Sequence, residues 1–177
     1  MQFEFKTASI ADVILIKSKR SEDDRGFFIK GFEREPFFHF LIEPFVEDYV
    51  SESKKDVLRG LHYQIEPKAQ GKLITVLTGR ILDVALDLRN NSKALYKYSM
   101  NELSTRGWDS VWIPKGFAHG FLSLEDDSTV LNRCTGEFDP NLERGVRWND
   151  PFFKINWPVN NPIVSNKDKS WDFFELM

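Results

Sequence analysis

The sequence predicts an all-β fold, either a sandwich or a barrel. Hydrophobic residues alternate with a period of two in several short segments, turn-forming residues separate these segments, and helical signals are weak. The 16 Phe among 177 residues agree with this fold, because aromatic side chains fit a pleated, half-buried surface. We expect a single domain over residues 1–177, since domains typically hold ~100–200 residues and no repeat or linker marks a boundary.

The clearest strand is predicted at residues 80–89. Its first face carries four hydrophobic side chains: Leu82, Val84, Leu86 and Leu88. Its second face mixes charged and hydrophobic residues: Asp83, Asp87 and Arg89 with Ile81 and Ala85. This alternation predicts a half-buried strand. A preceding strand is predicted at residues 72–77, joined to it by a hairpin turn at Thr78-Gly79.

Three later strands are predicted at residues 110–113, 117–124 and 129–135, separated by the turn sequences PKG and EDDS. The alternation places Phe117, His119 and Phe121 on one face of the second, and it places Val130, Asn132 and Cys134 together in the third. Helical structure is expected only as a turn at Arg34–Phe38 and at Asn166–Leu176, where Asn or Ser could cap the helix.

Composition excludes several classes of function. The net charge is −3 and no basic block is present, which argues against nucleic acid and anionic membranes as partners. No hydrophobic stretch approaches the ~20 residues of a membrane helix. A single Cys134 cannot form an internal disulfide, and the first ten residues lack a secretory signal, so we expect a cytoplasmic protein. With three His and one Cys, a zinc site is nearly excluded, and no metal or other cofactor is expected.

Candidate site residues fall in two motifs and between them. The segment VLRGLHYQ contains Arg59 and His62, the segment GFAHGF contains His119, and Lys72 lies between them. Cations gathered in a strand-rich protein of net negative charge indicate an anionic ligand such as a diphosphate. Taken singly, each residue has a structural alternative, because His62 could be a hydrogen-bonded structural residue and Arg59 and Lys72 could be solvated surface charges.

The order and spacing of several motifs resemble those of the dTDP-4-dehydrorhamnose 3,5-epimerase family, which are metal-independent sugar-nucleotide epimerases of the cupin superfamily. The resemblance runs from DRGFF at Asp24 through Ser165 and Asp168. Its motifs are RGLHYQ, Lys72, GRILDVALDLR, VWIPKGFAHGF, ERGVRWNDP and Asn156-Trp157-Pro158. It implies a cupin jelly-roll β-sandwich with short peripheral helices, a homodimer, and a nucleoside-diphosphate 4-keto sugar as substrate.

Epimerisation of such a sugar requires three groups: a base, a group that holds the enolate oxygen, and an acid opposite the base. The C4 ketone acidifies the hydrogens on C3 and C5, so a base can remove one, leave an enolate and allow a proton to return on the other face. An imidazole, with its ordinary pKa near ~6.5, suits the base. The resemblance assigns this role to His62, pairs Asp168 with it, and places Lys72 at the C4 oxygen.

The resemblance also implies substrate contacts. Arg59 and His119 match positions that bind the diphosphate, and Arg25 and Glu143 match other ligand contacts. No metal is needed for any of these roles.

Two departures from the family lie in the N-terminal part. Lys30 stands where the family tends to have an acidic residue, and FVEDY replaces FVQDN-like residues, which puts Glu47 in place of Gln. These changes alter the hydrogen-bond donors and acceptors offered to a ligand. They leave open a GDP carrier or a 4-keto-heptose beside a dTDP-linked hexose. In the alternative interpretation, Lys30 and Glu47 are exposed charges at the edge of the site that contact no ligand.

A further departure concerns the acid opposite the base. The family's acid is a Tyr in a segment resembling YxCT, and this chain has Asn132 at that position. A carboxamide has no proton to release near neutral pH, and the nearby Phe138 offers no phenol. Either water or another residue reprotonates the enolate and only C3 is inverted, or a substitute acid keeps inversion at C3 and C5. The substitute candidates are Tyr49, Tyr63 and Cys134. We favour a C3-epimerase.

Other functions fit parts of the pattern. A ketoisomerase would use a similar enolate, although RGLHYQ and GFAHGF resemble the epimerases better. A catalytically idle sugar-nucleotide-binding cupin would not need His62, Asp168 and Lys72. A metal-dependent cupin oxygenase would need a His-x-His pair, which the sequence lacks. The expected setting is surface-polysaccharide, such as capsule, or deoxysugar synthesis.

Overall fold

Two antiparallel sheets face each other in the computed structural model of the chain, which describes residues 1–41 and 43–175. This architecture confirms the predicted all-β sandwich. The elements in chain order are β1 (Phe3–Thr7), β2 (Ile14–Ser18), β3 (Arg20–Asp23), β4 (Gly26–Ile29), α1 (Arg34–Phe37), β5 (Glu47–Ser53), β6 (Val57–Gln64), β7 (Lys72–Thr78), β8 (Arg80–Asp87), β9 (Tyr98–Ser104), β10 (Ser110–Ile113), β11 (Phe117–Ser123), β12 (Ser128–Cys134), β13 (Glu143–Gly145), β14 (Ile163–Val164) and α2 (Asn166–Lys169).

The chain alternates between the two sheets. The first sheet has the order β1-β2-β10-β7-β12-β5, and the second has the order β13-β6-β11-β8-β9 with β14 beside β6. Strands β5 to β8 and β10 to β13 therefore fall in alternate sheets, as in a jelly roll. Strands β3 and β4 form a separate hairpin. The strands predicted at residues 110–113, 117–124 and 129–135 are confirmed as β10, β11 and β12 to within a residue at each end.

The hairpin predicted at Thr78-Gly79 is wrong. Strands β7 and β8 belong to different sheets, and the turn carries the chain from one sheet to the other. Gly79 has φ +73°, and a Cβ there would lie 2.8 Å from the Cα of Ser128. The tight turn thus needs glycine, as the sequence suggested. A turn signal specifies a reversal of the chain, however, and not the partner with which each strand pairs.

Strand β8 is buried on both faces, so the prediction of a half-buried strand is also wrong. Ile81 and Ala85 lie in the core between the sheets. Val84 and Leu86 point away from that core and pack in a second cluster on the outer face of the second sheet. The cover on this face comes from the C-terminal part of the chain, including Val146, Phe153, Trp157 and Val164.

The C-terminal helix is shorter than predicted. Helix α2 ends at Lys169, residues 170–175 are not helical, and Leu176 lies outside the described residues. The predicted serine cap is present, since the side chain of Ser165 accepts a hydrogen bond from the amide of Asp168 at 3.0 Å. This cap places the Asp168 side chain against β6.

Strands β6 and β11 approach each other closely at Gly60 and Gly120. A Cβ at Gly120 would lie 2.6 Å from the carbonyl oxygen of Arg59, and one at Gly60 would lie 2.6 Å from the Cα of Gly120. The register beside this contact pairs His62 directly with His119. Close backbone contact thus positions the two motifs that the sequence identified.

Substitution Gly120→Ala should destabilise the protein by about 1–3 kcal/mol, because the added methyl group forces the two backbones apart. Urea denaturation measures this loss. Gly31→Ala is the matched control, since a Cβ at Gly31 meets nothing within 4 Å. Equal unfolding midpoints for the two variants would contradict the tight packing of β6 against β11.

Candidate active site

A cavity of about 480 Å³ lies between the two sheets. The sequence-predicted residues that line it are Arg59, His62, Lys72, His119, Asn132 and Asp168. Strands β6 and β11 of the second sheet form one wall, strands β5, β7 and β12 of the first sheet form the opposite wall, and the segment leading into α2 closes one side. The fold therefore gathers the predicted base, its carboxylate and the predicted cation around one space.

His62 and Asp168 form a close pair. The Nε2 of His62 lies 2.6 Å from Oδ1 of Asp168, and the other carboxylate oxygen accepts a hydrogen bond from the amide of Gly60 at 3.2 Å. Burial raises the pKa of Asp168, but hydrogen bonding and charge from His62, with further hydrogen bonds from Gly60 and Ser165, hold it below its usual range. The carboxylate favours a proton on Nε2 and leaves Nδ1 as the nitrogen that can accept one.

Trp171 packs against His62, with ring centroids 6.3 Å apart at an interplanar angle of 63°. The indole lies over Gly145, where a Cβ would come within 2.1 Å of it. Sequence reasoning missed this residue, because the segment after Asp168 was predicted as a helix with no role for its side chains. The indole limits the positions that the imidazole can adopt.

Lys72 presents a buried cation to the cavity. It is 8% exposed, and no hydrogen bond or ion pair joins its ammonium group to another residue within the described ranges. Burial lowers the pKa of Lys72, while the nearby Cys134, Glu143 and Glu47 act in the opposite direction. The two carboxylates have other partners: Glu143 pairs with Lys167, and Glu47 accepts a hydrogen bond from the amide of Phe138. Lys72 is thus available to stabilise negative charge on a ligand.

His119 belongs to a second histidine–carboxylate pair. Its Nε2 lies 2.6 Å from Oδ2 of Asp83, and the two residues are 6% and 0% exposed. The other oxygen of Asp83 is buried with no partner among the described residues. No role was predicted for Asp83 from the sequence. The sequence did contain a signal for this pair: Asp83 shares a strand face with Ile81 and Ala85. A charged side chain on a hydrophobic face indicates a buried partner.

Arg59 is exposed at the cavity, where Ser53 and the carbonyl oxygen of Glu52 orient its guanidinium. The distances are 3.0 Å from Nε to Oγ of Ser53 and 2.9 Å from Nη2 to the carbonyl oxygen. These two hydrogen bonds leave other N–H groups of the guanidinium free to bind an anion.

A smaller adjoining cavity of about 300 Å³ shares Tyr49, His62 and Lys72 with the first. Glu47 and Glu143, both predicted as ligand contacts, line this second cavity. The predicted ligand region therefore extends along β5 and β13.

Arg25 and Lys30 lie outside both cavities. Arg25 sits in the turn between β3 and β4, with its side chain 89% exposed and paired with Asp23 at 2.6 Å. Lys30 pairs with Glu33 at 3.2 Å. Within a single chain, neither residue contacts a ligand held between the sheets.

Two further properties concern only residues 1–41 and 43–175. No group of three or more His, Cys, Asp or Glu side chains has the arrangement of metal ligands. No helix in these ranges combines the length and hydrophobicity needed to cross a membrane.

Known proteins resemble this chain in sequence and in fold. The sequence model of the dTDP-4-dehydrorhamnose 3,5-epimerase family matches residues 7–175. A dTDP-4-dehydrorhamnose 3,5-epimerase of Shigella flexneri is 42% identical over 162 residues, covering 90% of this chain and 89% of the relative. The crystal structure of such an epimerase from Sulfolobus tokodaii is similar with a TM-score of 0.90 and 43% identity, covering 98% and 96% of the two chains.

A Legionella pneumophila dTDP-6-deoxy-D-glucose-3,5-epimerase, solved in complex with dTDP-4-keto-L-rhamnose, is similar with a TM-score of 0.91 and 35% identity. The match covers 97% of this chain and 92% of the Legionella chain.

The lowered pKa of Asp168 predicts a pH-dependent contribution to stability. An unfolded Asp has a pKa of ~3.9, so the folded carboxylate stabilises the protein above that pH, and the contribution is lost as the pH falls through the lower folded value. The free energy of unfolding should therefore fall more steeply between pH 5 and pH 2 for the unmodified chain than for Asp168→Asn. Urea titrations at several pH values measure the two curves. Parallel curves would refute this assignment.

Proposed function

Since the chain belongs to the dTDP-4-dehydrorhamnose 3,5-epimerase family, we propose that it epimerises a nucleoside-diphosphate 4-keto sugar through an enolate, with His62 as the base. The observation that carries this proposal is the placement of the His62–Asp168 pair and the Lys72 ammonium around one cavity. Enolate formation requires a base beside the C–H bond and a cation beside the oxygen of the neighbouring carbonyl.

The first step is proton abstraction. Nδ1 of His62 takes the proton from C3, the electron pair of the C–H bond moves toward C4, and the carbonyl oxygen becomes the enolate oxygen. Lys72, which is itself buried, holds that oxygen by charge. Asp168 stabilises the imidazolium that forms, as in other His–Asp pairs.

Arg59 and His119 are proposed to hold the diphosphate. Arg59 is already oriented by Ser53 and Glu52, and His119 keeps a fixed ring position through Asp83. Glu47 and Glu143 line the adjoining cavity and would contact other parts of the substrate.

The sugar nucleotide is proposed to be a dTDP-linked 4-keto-6-deoxyhexose. The ligand held by the Legionella protein supports this choice. A GDP-linked sugar or a 4-keto-heptose is the second candidate, because Glu47, an anionic departure from the family pattern, lines the adjoining cavity. Such a reaction would serve surface-polysaccharide or deoxysugar synthesis in the cytoplasm.

Inversion at C3 is the proposed outcome. Asn132 is 3% exposed in the cavity wall, and its carboxamide cannot release a proton to the enolate. Inversion at C3 therefore needs water or another residue as the donor opposite His62, and a second inversion, at C5, would require that donor to reach C5 as well.

We also propose that the working form is a homodimer. Beside Arg25, the β3–β4 hairpin exposes Phe27 and Phe28 at 56% and 65%. Packing of this hairpin against a second copy would remove both rings from water and would bring Arg25 close to the cavity of that copy.

Incubation in D₂O with dTDP- and GDP-linked 4-keto-6-deoxyhexoses and 4-keto-heptoses tests the reaction. NMR should show deuterium entering at C3 together with formation of the C3 epimer, and His62→Asn should abolish both. Deuterium only at C5 would exclude C3 inversion. No exchange with any of these substrates would instead support a sugar-nucleotide-binding protein without catalysis.

Lys72→Met should lower kcat about 10²–10³-fold, which is the loss typical for removal of one group that stabilises an oxyanion. KM should change much less, because the ammonium acts mainly on the developing charge. Steady-state kinetics with the substrate that reacts in the exchange experiment measure both constants. Lys97→Met removes an exposed lysine outside the cavities and is the control. Equal kcat values for the two variants would remove Lys72 from the mechanism.

A further inference from the structure

We propose that Tyr49 delivers the proton to the face of the enolate opposite His62. This inference rests on the proposed function and names the acid, the third group that the reaction requires. It applies to whichever carbon is inverted, since every inversion needs a donor on the face that the base does not occupy.

The position of His62 determines which wall must hold this donor. His62 lies on β6 of the second sheet, so the donor must come from the first sheet across the cavity. The first-sheet side chains that line the cavity are Tyr49, Ser51, Lys72 and Asn132. Lys72 is proposed to bind the enolate oxygen, and Asn132 has no acidic proton. The hydroxyl of Ser51 is a far weaker acid than a phenol. Tyrosine is an established type of general acid.

Tyr49 occupies the strand position beside Asn132. The two residues are direct partners in the antiparallel β5–β12 pair, so their side chains share one face and their Cβ atoms are separated by about 4.5–5.5 Å. Asn132 is 3% exposed, whereas Tyr49 is 43% exposed and lines both adjoining cavities together with His62. The phenol is thus presented to the same space as the buried carboxamide, with more freedom to contact a ligand.

The protonation state of Tyr49 suits a donor. Desolvation raises the pKa of the Tyr49 phenol, and the adjacent Cys134, Glu47 and Glu143 raise it further. The hydroxyl therefore keeps its proton at neutral pH until a stronger base, such as an enolate carbon, takes it.

The other two candidates from the sequence fit less well. Tyr63 lines only the adjoining cavity, and it follows His62 on the strand that carries the base and packs with the cluster on the outer face of the second sheet. Cys134 is 0% exposed and lines neither cavity, and burial raises the pKa of its thiol to about 11.

The proposed step is balanced in protons and electrons. The enolate carbon takes the proton of the Tyr49 hydroxyl, a new C–H bond forms, and the C4 carbonyl is restored as its electrons return from the oxygen. The site is left with a His62 imidazolium and a Tyr49 phenolate. Loss of a proton from the imidazolium to water and gain of one by the phenolate from water restore the starting state.

Tyr49→Phe separates proton removal from proton delivery. In D₂O, with the substrate that exchanges most rapidly with the unmodified chain, formation of the inverted epimer should fall by about 100-fold or more. Deuterium incorporation with retained configuration should continue, because His62 still removes and returns a proton on its own face. Tyr98→Phe removes a phenol on β9, outside the cavities, and should leave both rates unchanged.

The double variant Tyr49→Phe/Asn132→Tyr moves the phenol to the neighbouring strand and should recover inversion at least tenfold over Tyr49→Phe. Inversion by Tyr49→Phe within threefold of the unmodified chain would overturn the inference. So would equal loss of exchange and inversion in a variant with an unchanged thermal midpoint, since that result indicates a binding role. Absence of exchange in the unmodified chain would instead reject the proposed function itself.

Discussion

The hydrophobic side chains on the outer face of the second sheet require a cover, and the C-terminal part of the chain forms it. Leu58, Val84 and Leu122 would otherwise be exposed to water, at a cost of ~1.5–3 kcal/mol for each large aliphatic side chain. Trp157 and Val164 pack on this face, and the chain then turns at Ser165 into α2. The same burial that stabilises the sheet therefore brings Asp168 to His62.

The electrostatics of the cavity follow from which carboxylates are already engaged. Asp168 and Asp83 each face a histidine, and Glu143 faces Lys167, so each of these acidic groups has a nearby cation or a group that can become one. Lys72 has no such partner within the described ranges. A chain with a net charge of −3 thus presents, at this cavity, a cation without an ionic partner among its described residues. Whole-chain charge could not predict this property, because it depends on pairing in three dimensions.

Local patterns were sufficient to predict the strands β7, β8, β10, β11 and β12, the motifs of the site and the serine cap. They could not predict that β7 and β8 enter different sheets, because the Gly79 turn has the same sequence signal in a hairpin and in a crossover. They also missed Asp83 as the partner of His119, since that contact joins β8 and β11 across 36 residues. The exposed position of Arg25 was equally unpredictable, because a motif match carries no information on whether a side chain faces the cavity of its own chain.

The direct pairing of Tyr49 with Asn132 has a consequence for how sequences of this kind are compared. Two residues opposed across antiparallel strands present their side chains to the same wall, so a functional group can pass from one strand to the other through two substitutions without displacement of the backbone. A search for tyrosine at one position alone would treat such a chain as inactive. The unit that evolution can conserve here is the cross-strand pair, and alignments gain information when both members are read together.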